Sequence, residues 1–332
     1  MDSPDFDESN ESATTIVGAI VAVIAAISVV LRFYTRHMTT AGLGSDDWLI
    51  LLALIATIAT DVIVLVASSN NPGGARAASN IDPDYVYTPA DVEYTKLDFI
   101  ATVLYFTITC ATKLSIVLMY KRIFGVGNTF RRRIFVVSFI VIGFWIGTTV
   151  ADLLNCIPIK WTWLNSHDDP QYCFSYTIFW LVSGITEALI DIIILAMPIQ
   201  IVISLHLKTS RKVAIGGVFL LGSLVVISGI VKVVLSYVPG NREPDFSKTE
   251  VWTTVHIGTG ILCACLPVCW PLFIRIARAS RTKTVVSSVV KLMDSISGRS
   301  FLDRTQRSRE GSISRTLSSN SFELPLHSPP SN

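Results

Sequence analysis

Glu187 and Asp191 stand four residues apart inside YTIFWLVSGITEALIDIIILAMPIQ, which runs from Tyr176 to Gln200. Residues at that spacing share one face of a helix. Carboxylates in so apolar a stretch must face protein, water or a partner, because a bare charge in hydrocarbon costs several kcal/mol. Proton transfer or switching is the chemistry such a pair suits. Other polar residues interrupt apolar runs in the same way: Asp61, Asp98, Lys113, Asp152 and Lys232.

The elements that must position these groups follow from length. The 25 residues of Tyr176 to Gln200 are enough to cross a hydrocarbon core of ~30 Å at ~1.5 Å per helical residue. The whole chain is 51% apolar and 16% charged over 332 residues, with a mean hydropathy of +0.54. Soluble domains carry about 25% charged residues, so the composition is that of a membrane protein. Seven apolar runs occur, at about 14–34, 48–68, 95–120, 134–155, 175–202, 213–237 and 251–275. The expected fold is therefore all-α, a bundle of seven transmembrane helices in a multi-pass protein of the plasma membrane or an endomembrane.

Lysine and arginine between the runs set the expected orientation. Arg32, Arg36, Lys121, Arg122, Arg131, Arg132, Arg133, Lys208, Arg211, Lys212, Arg275, Arg278, Arg281 and Lys283 fall on one side. Arg76, Lys160, Arg242 and Lys248 fall on the other, with Lys96 at its edge. This excess predicts an N-terminus outside and a C-terminus in the cytoplasm. Residues 1–13 form an acidic outer segment without Lys or Arg, so the first run reads as an uncleaved anchor rather than a signal peptide. Asn10 begins an Asn-Glu-Ser glycosylation acceptor. Asp46, Asp47 and Trp48 are expected to cap the second span from the inner side, acids at the positive helix end and Trp at the interface.

Cys156 and Cys173 bracket the outer loop CIPIKWTWLNSHDDPQYC, where an oxidising compartment favours a disulfide. Trp161 and Trp163 beside them are interfacial anchors or, on the second reading, ligand contacts. Cys263, Cys265 and Cys269 read as small buried residues, and no cysteine pair has zinc spacing. The membrane domain covers 14–280. Residues 281–297 place valines at helical spacing and predict a short amphipathic helix on the inner surface. Residues 298–332 are a disordered Ser- and Arg-rich tail, with basophilic kinase sites at Ser312, Ser314 and Ser318. A net charge of +2, with no basic stripe, argues against nucleic acid as a partner. No nucleotide-binding or zinc-protease motif occurs, and no cofactor or metal is expected.

Five phrases in order carry a resemblance: GLGSDDWLILLAL (Asp46, Asp47, Trp48), TKLSIVLMYKRIF (Lys113, Ser115, Tyr120, Arg122, Phe124), CIPIKWTW (Cys156, Pro158, Trp161), EALIDIIILAMP, and CACLPVCWPLF (Pro267, Pro271). Over roughly residues 15–280 the chain resembles the fungal rhodopsin-domain family of seven-helix membrane proteins, which includes receptor-like proteins and members of satratoxin-type biosynthetic clusters. The resemblance implies a receptor-like fold but not retinal, since a Schiff-base lysine is required in the last span and Thr254 to Phe273 contains none. Against the family pattern, Glu187 replaces an Asn and His256 replaces an acid. Residues 1–13 also lack the cysteine-rich module of some receptor-like members, which lowers the case for surface sensing. If Glu187 and His256 both point inward, they form the carboxylate–imidazole combination of acid–base catalysis near neutral pH.

Three functions are compatible with these residues. The first is receptor-like sensing of a small lipophilic or extracellular ligand. Asp61, Trp161, Trp163, Glu187, Asp191 and His256 are the candidate contacts, with a cytoplasmic partner at the basic inner loops. The second is a membrane-embedded enzyme of secondary metabolism, a cyclase or isomerase, with Glu187, Asp191 and His256 as acid–base groups. A transporter ranks third. Lys113 is expected to snorkel to the headgroups or to pair with Asp47. Lys232 and Asp152, near outer ends, are expected to be wetted or paired, and Asp61 needs an internal partner.

Overall fold

A computed structural model describes residues 4–39, 42–71, 88–124, 127–163, 172–204, 209–237 and 249–270, together with Gly74 and Leu272. Side chains at 1–14, 199–215 and 218 are not among those described. The chain divides into two units, Met1–Pro271 and Leu272–Asn332, and all the helices below belong to the first. The surface helix expected at 281–297 and the tail at 298–332 lie outside the described residues, as does most of the 72–87 loop.

The helices are α1 Pro4–Met38, α2 Ser45–Asn70, α3 Pro89–Phe124, α4 Asn128–Leu153, α5 Tyr176–Ser204 and α6 Thr209–Ser236, followed by α7, Glu250–Trp270. All 7 are long and apolar enough to cross a membrane, and among the described residues there is no strand, only an isolated bridge between Cys156 and Cys173. The chain is a multi-pass integral membrane protein. Successive helices run antiparallel and gather their ends at two faces. The N-face holds the start of α1 and the ends Asn70, Pro89, Leu153 and Ser236. The C-face holds Met38, Ser45, Phe124 and Asn128.

Large apolar side chains on the outside of the bundle confirm which surfaces meet lipid. Ile27 and Val30 of α1, Phe135 and Phe139 of α4, and Leu220 and Val234 of α6 are all more than half exposed, which water would not tolerate in such number. α3 is the central post. In its most apolar window 72% of the residues are buried, against 17% for α1. Being shielded from lipid lets α3 carry Asp98, Lys113 and several threonines without the full cost of polar groups in hydrocarbon. Many hydroxyls in the spans are satisfied within their own helices. Thr57 donates to the Ala53 carbonyl at 2.8 Å and Thr107 to Val103 at 3.0 Å, as a solvent without hydrogen bonds demands.

Helix ends are fixed by side chains. Thr88 caps α3 reciprocally with Asp91: its backbone N–H donates to Asp91 Oδ2 at 2.8 Å, and the Asp91 N–H donates back to Thr88 Oγ1 at 3.3 Å. Asn71 reaches across from the end of α2 to Asp91 Oδ1 at 2.6 Å. Glycine lets two helix pairs approach closely, since a Cβ at Gly184 of α5 would collide with Val233 of α6, and one at Gly258 of α7 with Val21 of α1. Between α4 and α5 the expected disulfide is formed by Cys156 and Cys173. It closes a loop that begins with a short 3-10 helix, Ile159–Trp163.

Candidate functional site

Charge is concentrated at two depths. At the C-face, Arg32 and Arg36 of α1, four apart and on one face, meet Asp46 and Asp47 in the first turn of α2. Arg32 Nε donates to Asp47 Oδ1 at 2.7 Å and Nη2 to Asp46 Oδ2 at 2.5 Å. Its Nη1 donates to the Ala264 carbonyl of α7, also at 2.5 Å. Arg36 Nη2 adds a bond to Asp46 Oδ2 at 2.8 Å. The Gly44 N–H donates to Asp47 Oδ2 at 2.9 Å, so Asp47 caps α2 as its position suggests. From α3, Ser115 donates to the Asp46 carbonyl at 2.7 Å, and Arg122 stands 3.6 Å from Asp46 Oδ1. Trp48 is exposed and packs edge-on against Phe33.

Near mid-depth, six helical side chains of α3, α5, α6 and α7 converge. Lys113 Nζ bonds Asp191 Oδ1 directly and lies 3.6 Å from Glu187 Oε1. Lys232 Nζ donates to Glu187 Oε2 at 3.0 Å and to the Tyr105 hydroxyl. That hydroxyl in turn donates to Glu187 Oε2 at 2.5 Å. His256 Nε2 stands 3.5 Å from Glu187 Oε1, while Nδ1 lies 3.1 Å from the Val225 carbonyl and 3.3 Å from Ser228 Oγ. All six are buried, Lys232 at 1% exposure. With both lysines and both carboxylates ionised, the cluster's charges cancel.

Above this cluster, toward the N-face, a cavity of about 250 Å³ opens among α1, α2, α3 and α7. Its wall is mostly apolar, from Ala19, Ala22, Val62 and Ile257. Asp61, Asp98 and Glu250 also line it, and Tyr105 and Trp180 stand where it approaches the cluster. Tyr105 thus belongs to both the cavity and the ion cluster.

A family model described as the fungal rhodopsin domain matches residues 31–275. The chain belongs to that family. Its relatives include the polyenoic acids biosynthesis gene cluster protein Ba17b of Metarhizium anisopliae, 27% identical over 78% of this chain and 72% of that protein. The satratoxin biosynthesis SC1 cluster protein 4 of Stachybotrys chartarum is 27% identical over 47% of this chain and 57% of that protein. Receptor GIN3 of Arthrobotrys oligospora is 24% identical over 78% of this chain and 61% of its own length. The family therefore holds receptor-like and secondary-metabolite-cluster members alike.

Several expectations are corrected within this fungal rhodopsin domain. Lys113 neither snorkels nor pairs with Asp47. It is buried against Asp191, and Asp47 is taken by Arg32 and Arg36. Arg32 and Arg36 are not loop charges, because α1 continues to Met38 and turns both inward. Of the two outcomes expected for Lys232, wetted or paired, the structure shows the second, with Glu187 as its partner. Asp152 is paired, accepting from the Tyr176 hydroxyl at 2.8 Å. Tyr105 was not singled out by the sequence; an apolar-looking tyrosine gives no signal until Glu187 is seen beside it.

The named ligand contacts do not form one site. Glu187, Asp191 and His256 sit together in the cluster, while Asp61 lines the cavity. Trp161 stacks on Tyr172 with ring centroids 4.8 Å apart, and Trp163 lies beneath Lys96. Neither lines the cavity. Asn10 falls on the first turns of α1, where side chains are not described.

Proposed function

We propose that this chain is a receptor-like, non-retinal membrane protein that senses a small lipophilic ligand in the cavity between α1, α2, α3 and α7. The observation that carries the reading is Tyr105. It lines the cavity, and its hydroxyl is bonded to Glu187 and Lys232, so a ligand resting on the ring bears on a cluster that joins α3, α5, α6 and α7. A ligand that favours one arrangement of that cluster shifts the bundle between two packings, which is the requirement for a receptor. The similarity to a protein named as a receptor supports the same reading.

An N-face outside is supported by the charges exposed among the described residues once Arg32 and Arg36 are set aside as buried. Lys121, Arg122, Arg131, Arg132 and Arg133 are exposed at the C-face, against Lys96 and Lys160 toward the N-face. On the positive-inside rule this excess supports a cavity mouth and Asn10 on the outer side, with the basic C-face in the cytoplasm offered to a signalling partner.

The rival reading, an enzyme of secondary metabolism, is favoured by the 3.5 Å approach of His256 Nε2 to Glu187 Oε1 and by the biosynthetic-cluster relatives. Weighing against it, Glu187 is held by Lys232 and Tyr105. A carboxylate so engaged would weaken those charge-assisted hydrogen bonds on taking a proton, which makes it a poor base. One comparison separates the two. A deletion strain of the native host is complemented with wild type, Gly18→Phe, Glu187→Gln or His256→Phe, with each protein verified at the membrane, and its metabolites are profiled. A Cβ at Gly18 would meet nothing closer than Asp61 Oδ1 at 3.8 Å, so Phe there grows into the cavity. For a receptor, Gly18→Phe reproduces the broad profile of the deletion and no single intermediate builds up. One unprocessed intermediate in the deletion, Glu187→Gln and His256→Phe strains would sink the receptor reading.

A further inference from the structure

Two carboxylates on the cavity wall have no cation beside them among the described residues, and they define the ligand. Elsewhere in the bundle each buried carboxylate has its donor: Asp46 and Asp47 have arginines, Glu187 and Asp191 have lysines, and Asp152 has Tyr176. Asp61 and Asp98 line the cavity, and among the described residues neither is within ion-pair distance of a Lys, Arg or His. Asp61 Oδ2 is buried and has no hydrogen-bond partner.

Five of the hydroxyls on that wall are already committed elsewhere. Thr57, Thr60, Thr253 and Thr254 commit their protons to the carbonyls of Ala53, Ala56, Thr249 and Glu250, and Tyr105 commits its proton to Glu187. Those oxygens have lone pairs left to offer but no donor. A neutral ligand would leave the acids unanswered, and an anionic one would be repelled. At about 250 Å³ the space lies just below the usual range of ~300–1,000 Å³ for small-molecule sites. The occupant is therefore compact.

We propose that the cavity takes a compact lipophilic cation, a protonated amine on an apolar body, with its ammonium donating to Asp61 and Asp98. This rests on the sensing reading above and names the ligand class of that same cavity. A carboxylate at membrane depth persists where function supplies its partner, and here the partner arrives from outside the chain.

The test uses the full-length protein in lipid nanodiscs and three probes with one apolar cage: 1-adamantylmethylamine, 1-adamantanemethanol and 1-adamantanecarboxylic acid. Binding is read by intrinsic tryptophan fluorescence, Trp180 lying on the wall, and by the shift in unfolding midpoint. The amine is expected to bind at least about tenfold more tightly than the alcohol, and the acid not measurably. Asp61→Asn brings the amine down to the alcohol's affinity and leaves the alcohol unchanged. Asp98→Asn does the same in part, and carries the test if Asp61→Asn is poorly folded. Gly18→Phe abolishes binding of both. Equal binding of amine and alcohol, unaffected by either Asn substitution, overturns the cation and leaves the cavity as a ligand site. If no probe binds wild type at millimolar concentration, the proposal falls. The sensing reading itself fails separately, when the Gly18→Phe strain grows and profiles as wild type.

Discussion

At the C-face, Arg32 and Arg36 hold Asp46 and Asp47. Near mid-depth, Lys113 and Lys232 hold Glu187 and Asp191. The two clusters have two acids each, yet they are made for different purposes. Guanidinium is a planar fork with five donors, and Arg32 uses three of its nitrogens on Asp47, Asp46 and the Ala264 carbonyl. Ammonium is a point charge that can re-aim, and the lysine cluster leaves Glu187 Oε1 and Asp191 Oδ2 without hydrogen bonds. A saturated network is rigid, whereas one with spare acceptors has other arrangements available at small cost. The arginine cluster reads as a clamp on α1, α2, α3 and α7, and the lysine cluster as the part able to switch.

The largest effect should come from breaking the clamp. Arg32→Met leaves Asp46 and Asp47 with fewer cations and removes the guanidinium donor from the Ala264 carbonyl. Breaking a buried pair by removing one partner costs ~3–5 kcal/mol. We expect this variant to give little folded protein by fluorescence-detected size exclusion. Arg32→Lys should rescue it poorly, since an ammonium cannot reach three acceptors in the fork's geometry. Full recovery by Lys would mean that charge alone matters at the C-face, and the distinction between the clusters would be lost.

The lysine cluster should respond differently. Lys232→Met or Glu187→Gln alone should destabilise by ~3 kcal/mol, the lower end for a broken buried pair, because Lys113 and His256 remain beside the carboxylate. The double variant removes both charges together, so its cost should fall short of the sum by ~1–3 kcal/mol. Denaturation of the four proteins in detergent measures that coupling. Strict additivity would show that Lys232 and Glu187 do not depend on each other, against the 3.0 Å contact between them.

Sequence made the scaffold of both clusters legible but not their pairings. Span positions, the Cys156–Cys173 bridge and the shared face of Glu187 and Asp191 follow from hydropathy, compartment and helical period, all local properties. The approach of His256 to Glu187 was anticipated from two departures from a family pattern. Arg32 is hidden because an arginine in the last turn of the first apolar run reads as a charge of the inner surface, and nothing in that run shows that its side chain has no exposure. For Lys113 the sequence suggests snorkelling or a pair with Asp47 and not Asp191, because finding the true partner needs the rotation of α3 about its axis. Nothing in one helix's sequence states that rotation. Tyr105 was missed for the same reason: its role exists only across helices.

The smallest effect sharpens the comparison from inside the clamp. Arg122 keeps 29% of its side chain exposed and stands 3.6 and 3.7 Å from Asp46 and Asp47, beyond the distance of a good charged hydrogen bond. It does donate to the Gly42 carbonyl at 2.7 Å. Such a partly wetted pair contributes at most ~1 kcal/mol, and salt should screen it, since the Debye length shrinks to ~3 Å at 1 M ionic strength. Arg122→Ala is therefore expected to lower stability by no more than ~1 kcal/mol in dilute buffer, with part of that difference vanishing in 1 M salt. The Arg32→Met defect should persist in salt, because its charges meet no solvent. If Arg122→Ala proves as damaging as Arg32→Met, the clamp is organised around α3 rather than α1, and Arg32 is one of its supports rather than its centre.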